Sequence, residues 1–287
     1  MRIAHVTAGT IGLGHIMAAE AIRRGLKRAG FNGQSRLFGP PSAFACAPLD
    51  YFTPIPIVAE ELADPFRAEE SALARALDEF KPDLLLGETH WAPLLYLLPR
   101  PKCPAWLLLR KVPDMWFTGT DEVPFRADLW DRIISFEPLF EHPMFTDQVD
   151  PIVVCNRGEL RPKGSLRKRW DLSLTARLVV VAQAGEPGEA DAIPTDEDAK
   201  ARVVRLDGRS ADHPFPLAEW LSDADQIYAG AGYNAYWESK WLGWFERTHF
   251  TAFPRPIDDQ AWRLEACADY WPKENGADQL ARWILDM

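Results

Sequence analysis

"RIAHVTAGTIGLGHIMAAEAIRRGLKRAG" (residues 2–30) is the stretch that decides the fold of this chain. "RIAHVTA" is a short apolar run of strand type. "HIMAAEAIRRGLKRA" (15–29) repeats apolar residues at helical spacing, with Ile16, Ala19, Ile22 and Leu26 on one stripe and Arg23, Arg24, Lys27 and Arg28 mostly opposite. Gly30 ends the helix as a C-cap does. Between strand and helix stand Gly9, Gly12 and Gly14, spaced G-x-x-G-x-G, with His15 directly after. Glycines here let backbone N–H groups approach an anion, and the helix N-terminus adds a favourable field. The dinucleotide fingerprint G-x-G-x-x-G is not matched, no acidic residue closes the second strand, and the Gly-Lys-Ser/Thr ending of an ATP loop is absent. His15 is the informative residue. The field at a helix start favours neutral imidazole, the form a general base requires, although a histidine that merely caps or packs the turn has the same spacing.

Outward from this unit, the first 150 residues continue the alternation of short apolar runs with helical patterns. "SRLFG" (35–39), "DLLLGE" (83–88), "PAWLLLR" (104–110) and "DRIISF" (131–136) read as strands, and "EESALARALDEFKP" (69–82) as a helix stopped by Pro82. Strands alternating with helices imply a parallel, doubly wound sheet. A second series starts near residue 151: "PIVVCN" (151–156), "ARLVVVAQAG" (176–185) and "ARVVRLDG" (201–208) are strand-like, and the acidic, proline-containing 186–199 reads as a surface loop. "PLAEWLSDA" (216–224) reads as a short helix and "QLARWILDM" (279–287) as a final one. The expectation is α/β, two Rossmann-like domains over 1–150 and 151–287, with a hinge within 137–156 and a cleft between them.

The second half carries its own glycine turn, "YAGAGYNAYWES" (228–239). A strand ends, Gly230 and Gly232 turn the chain, and a helix opens with Tyr233 and Asn234. Such a turn suits a diphosphate, and Glu238, one turn along, is placed to accept hydrogen bonds from ribose hydroxyls; a tight connection with Glu238 on a solvated face has the same pattern. Trp237, Trp241 and Trp244 share a helix face at spacing i, i+4, i+7 and are expected in the core or a domain interface. His90, two residues after Glu88, is a second candidate or a packed histidine.

Composition narrows the function classes. The 287 residues carry a formal charge of −10, the wrong sign for a nucleic-acid surface, and the basic stretch "RPKGSLRKRW" (161–170) is expected to be a solvated loop, with anion binding as the other reading. Cys46, Cys103, Cys155 and Cys267 are scattered, with no C-x-x-C pair. No secretory signal opens the chain and "APLLYLLP" (92–99) is too short to span a bilayer, so a cytoplasmic protein is expected. Asp258, Asp259 and Glu265 lie around a helix start, where acids favour the helix field without any metal, and no metal is expected.

"GTIGLGHIMAAEAIRRGLKRAGF" (9–31) resembles the amino-terminal signature of GT-B glycosyltransferases, closest to the peptidoglycan N-acetylglucosaminyltransferase. "KPDLLLGETH" (81–90) and "LSDADQIYAGAGYNAYWESKWLGWFERTHFTAFPRPIDDQAWRLEA" (221–266) are similar to that family's acidic strand and donor region. The resemblance implies an inverting, metal-independent transferase without cofactor, taking a nucleoside-diphosphate sugar and a small-molecule acceptor, with a reduced C-terminal domain. It implies His15 as base, Glu88 as its orienter, Gly12 and Gly14 as the acceptor-side loop, and Gly230, Gly232 and Asn234 as the diphosphate cradle. Glu238 would hold the ribose, and Asp259 and Gln260 the sugar. "GLGHIMA" (12–18) is also similar to the G-x-G-H-x-x-R turn of the nucleotide-sugar hydrolases of pseudaminic acid synthesis, with Ala18 in place of the arginine. Non-catalytic binding by the same fold is the third possibility. Acceptor, donor base and oligomeric state are left open by the sequence.

Overall fold

The structure, a computed structural model, describes residues 1–8, 13–41, 49–99, 102–195, 201–210 and 212–287. Gly9, Gly12, Cys46 and residues 196–199 of the acidic loop lie outside these. The first half comprises β1 (Arg2–Thr7), α1 (Gly14–Arg28), β2 (Gln34–Gly39), β3 (Phe52–Pro54), α2 (Ala59–Leu62), α3 (Pro65–Glu69), α4 (Ala72–Phe80), β4 (Leu84–Glu88), β5 (Ala105–Leu109), β6 (Arg132–Ser135) and β7 (Asp147–Gln148). Its sheet is parallel throughout, in the order β3-β2-β1-β4-β5-β6-β7. β4 and β5 are central and buried at every residue, as their unbroken apolar runs require.

The second half comprises α5 (Ser165–Arg169), β8 (Leu178–Gln183), α6 (Glu189–Ala192), β9 (Arg202–Asp207), β10 (Gln226–Gly230), α7 (Tyr233–Leu242), β11 (Thr248–Thr251), α8 (Gln260–Ala266) and α9 (Gly276–Leu285). Among the described residues its sheet has four parallel strands, ordered β11-β10-β8-β9. Both inner strands β1 and β10 are followed in sequence by a helix: α1 opens at Gly14, and β10 ends at the glycine-bearing turn into α7.

Three local expectations change. Residues 151–156 form no strand: Ile152 N donates to Tyr233 Oη at 2.7 Å and Val153 N to Asn275 Oδ1 at 3.3 Å. This run is apolar because it is buried between the halves, and side chains rather than a ladder satisfy its backbone. The expected helix at 216–224 is two 3-10 turns, Leu217–Glu219 and Leu221–Asp223. α9 packs back on α1 of the first half, so close that a Cβ on Gly25 would lie 2.4 Å from the Ala277 carbonyl oxygen. Arg28 Nε donates to Asp278 Oδ1 across the same contact, at 2.7 Å. The basic stretch 161–170 is only in part the expected solvated loop: Arg161, Lys163, Lys168 and Arg169 are exposed, but residues 165–169 form α5, and buried Arg167 pairs with Asp225 at 2.8 Å.

One hydrophobic core runs through both halves, with Ile3, Ile22, Val153, Tyr236 and Leu280 all in it. Trp237 is in this core, and its Nε1 donates to Glu137 Oε1 at 2.9 Å. Gly243 ends α7 at φ 89°, a conformation favouring glycine, so Trp244 lies beyond the helix, yet it is buried in the same core, and Trp241 packs against that core partly buried. Glu137, just after β6, and Arg263, on α8, are fully buried and paired through two hydrogen bonds, at 2.6 and 2.8 Å. Arg263 also donates to Asp258 Oδ1 at 2.7 Å and to the Ala231 carbonyl at 2.9 Å. This ion-pair network ties the first half to the second.

Candidate active site

His15 lies in the opening turn of α1, 5% exposed, against Glu88 at the end of β4. The parallel register sets Thr7 of β1 beside Glu88 of β4. Glu88 Oε2 accepts a hydrogen bond from His15 Nδ1 and one from Thr7 Oγ1 at 3.3 Å, while Thr89 Oγ1 donates to Oε1 at 2.9 Å. Burial alone would push the Glu88 carboxyl up. The neighbouring His15, with Arg110 and His90 behind it, outweighs burial and holds it well below the usual carboxylate range. A carboxylate only accepts, so Nδ1 of His15 carries a proton, and in the neutral ring Nε2 is the nitrogen able to accept one.

Three further charged or titratable side chains face His15. His90 meets it edge-on with ring centroids 4.8 Å apart, and His5 lies behind on β1. Burial brings each of these histidines down to about 4, so both are neutral near pH 7. Arg110, directly after β5, brings a guanidinium nitrogen 3.4 Å from His15 Nε2. His15, Glu88 and His90 offer ligand atoms within 4.8 Å of one another, enough for a divalent cation on spacing alone. The Arg110 charge at the same imidazole opposes one electrostatically.

The second turn begins where β10 ends at Gly230. Gly232 is the N-cap of α7 and supplies no side-chain cap, and no acidic residue follows in the first turn, so the opening N–H groups face the cleft uncapped. Asn234 Nδ2 donates to the Gly14 carbonyl at 3.4 Å and so joins the two glycine turns. Glu238, one turn along, has a buried Oε1 with no hydrogen-bond partner among the described residues. Burial pushes its carboxyl up to about 8, the opposite of Glu88. Gln260 opens α8; its side chain holds Phe253 N at 2.9 Å and Asp258 Oδ2 at 3.3 Å.

A single cavity of about 370 Å³ is lined by His15, Arg110, Gly230, Asn234, Glu238 and Gln260 together, with Gly14 and Gly232 also in its wall. Glu88 sits behind His15, out of the lining. Asp259, expected at the sugar, lies outside this cavity. Its carboxylate accepts from Trp262 N at 2.9 Å and caps α8, and the preceding Asp258 takes the place in the wall. Gly12 lies outside the described residues. Arg110 was not picked out by motif. Its one sequence signal is a cation ending the buried run "PAWLLLR", at the carboxyl end of a strand where ligands of such sheets bind.

No protein-family model matches the chain, and no curated protein matches it in sequence. Among solved structures it is similar to spinosyn forosaminyltransferase SpnP, with a TM-score of 0.58 and 14% identity over 100% of this chain and 90% of that one. It is also similar to the glycosyltransferase VinC in complex with dTDP (TM-score 0.55, 12% identity, 99% and 90% covered). A third is UGT2 of Phytolacca americana, complexed with UDP-2-fluoro-glucose and pterostilbene (TM-score 0.53, 13% identity, 99% and 89% covered). The chain has the GT-B fold. In GT-B terms, the seven-stranded half bears the His15–Glu88 pair and the four-stranded half bears the Gly230–Glu238 turn. No described helix is long and apolar enough to cross a membrane.

Proposed function

We propose that the protein is an inverting glycosyltransferase that moves a sugar from a nucleoside-diphosphate sugar to an acceptor hydroxyl. One observation carries the reading: an oriented histidine, and an uncapped helix start with a carboxylate one turn in whose buried Oε1 has no partner among the described residues, line the same cavity from opposite halves. The α7 N-terminus would hold the diphosphate, and the ribose hydroxyls would donate to Glu238, supplying the hydrogen bonds its carboxylate lacks. Gln260 would face the sugar. His15 Nε2 takes the proton of the acceptor hydroxyl as the acceptor oxygen attacks the anomeric carbon. The bond from that carbon to the diphosphate oxygen breaks, and its electron pair leaves on the diphosphate, stabilised by the N–H groups at the start of α7. Attack from the face opposite the leaving group inverts the anomeric centre. Glu88 stays ionised, keeps the imidazole in the productive tautomer and stabilises imidazolium as it forms. The reaction draws on no metal or cofactor beyond the donor itself.

The test is product analysis. UDP- and TDP-sugars are incubated with and without a panel of hydroxyl acceptors, and nucleoside diphosphate, free sugar and glycoside are quantified. Glycoside formed only with acceptor, with inverted anomeric configuration, is the expected result. Free sugar released equally with and without acceptors means that water is the nucleophile and the protein is a hydrolase. Tight nucleotide binding with no turnover of any donor means that the fold serves binding alone.

A further inference from the structure

Arg110 is a buried cation that the chain itself leaves under-used. It is 9% exposed and lines the cavity, its Nε is buried without a hydrogen-bond partner, and no carboxylate lies within ion-pair distance of it among the described residues. The nearest carboxylates are already engaged: Glu88 with His15, Asp258 with Arg263. Its polar contact is with His15 Nε2, at 3.4 Å, the nitrogen that must be free to accept a proton. A buried guanidinium is costly unless an anion meets it.

The surroundings say where that anion lies. A Cβ built on Gly14 would come 3.6 Å from Arg110 Nη1 and 4.0 Å from Asn234 Nδ2. Gly14 therefore stands between the guanidinium and the opening residues of α7, and its missing side chain keeps that space open. Arg110, the α1 start and the α7 start converge on one region from both halves.

We propose that Arg110 is the cationic receptor of the diphosphate, reaching it from the half opposite the α7 cradle, and that in taking it the guanidinium leaves His15 Nε2 free to act as base. The proposal rests on the nucleoside-diphosphate reading above and adds a residue, and an order of events, to it. Without an anion, Arg110 donates to the base and occupies it. With the diphosphate bound, the charge-assisted bonds to phosphate oxygens are the stronger ones. Base and donor site are thereby coupled: His15 becomes available when the donor is in place.

Titration calorimetry on the full chain tests this with UDP, TDP, uridine, thymidine and inorganic pyrophosphate, on wild type, Arg110→Lys and Arg110→Met. In Arg110→Met the diphosphates and pyrophosphate are expected to bind roughly 10- to 100-fold more weakly, with nucleoside affinity unchanged. Arg110→Lys, which keeps the charge, is expected to recover part of the loss. Unchanged diphosphate affinity in Arg110→Met overturns the proposal and leaves the nucleotide reading standing. Arg110-dependent binding of pyrophosphate without binding of either nucleotide sustains the receptor and overturns the nucleotide reading. No binding of any probe to wild type overturns both.

Discussion

Glu88 and Glu238 are both desolvated carboxylates at the cleft, one in each half, and they are driven in opposite directions. Glu88 has His15, Thr7 and Thr89 around it and stays ionised; Glu238 has a partnerless oxygen and is pushed up to about 8. Burial acts alike on both. Partners decide the charge. The carboxylate that orients a base has its full complement of donors inside the protein, whereas the one proposed to hold a ligand lacks donors that the ligand would bring.

The largest effect expected from breaking this comparison is at His15. His15→Ala should lower turnover by roughly 10²- to 10⁴-fold, the usual range for loss of a general base. It also strands Glu88, so the melting temperature should fall at neutral pH, and adding Glu88→Ala to His15→Ala should restore most of it. Turnover within about threefold of wild type would leave His15 a turn residue only.

Next is Glu88→Gln, which removes one partner of a buried pair and should destabilise the fold by about 3 to 5 kcal/mol, measured by urea unfolding. Because the folded Glu88 carboxyl is held below its unfolded value, its contribution is fully present above about pH 4.5 and is lost as pH falls through the folded value. The Gln variant should therefore lose stability mainly above that pH and converge on wild type in acid.

Glu238→Gln should weaken nucleoside-diphosphate binding by roughly 1 to 3 kcal/mol. The pH signs are opposite to those of Glu88. A carboxyl raised from 4.5 to about 8 contributes stability that is full below pH 4.5 and lost as pH rises through 8. Wild type should lose stability across that window, and Glu238→Gln should lose less. Ribose hydroxyls favour the ionised carboxylate, so nucleotide binding near pH 7 should release a proton, read by calorimetry in buffers of different ionisation enthalpy. No proton release by wild type, or the same release by Glu238→Gln, removes Glu238 from the site.

The smallest effect sharpens the comparison at α8. Asp259→Ala should cost about 1 kcal/mol of stability through loss of the helix cap and leave nucleotide affinity unchanged. Gln260→Ala should lower donor affinity.

The sequence by itself determined what is local. Period-3.6 and unbroken apolar runs marked α1, α4, β4, β5 and β10, because burial of one stripe or of a whole central strand is written in the residue order. The glycine spacings, and His15 and Asn234 in the opening turns of the helices that follow them, were legible for the same reason. Tertiary structure decided what depends on distance along the chain. His15 and Glu88 meet across 73 residues, and Arg110 and His15 across 95, through strand register that no local pattern encodes. Residues 151–156 have the apolarity of a strand, but burial between two halves produces the same composition without a ladder. Asp258 and Asp259 are chemically identical neighbours; the turn into α8 sends one to Arg263 and the other to the helix cap. Glu88 and Glu238 are likewise the same residue type, and only their folded surroundings separate an ionised carboxylate from a protonated one.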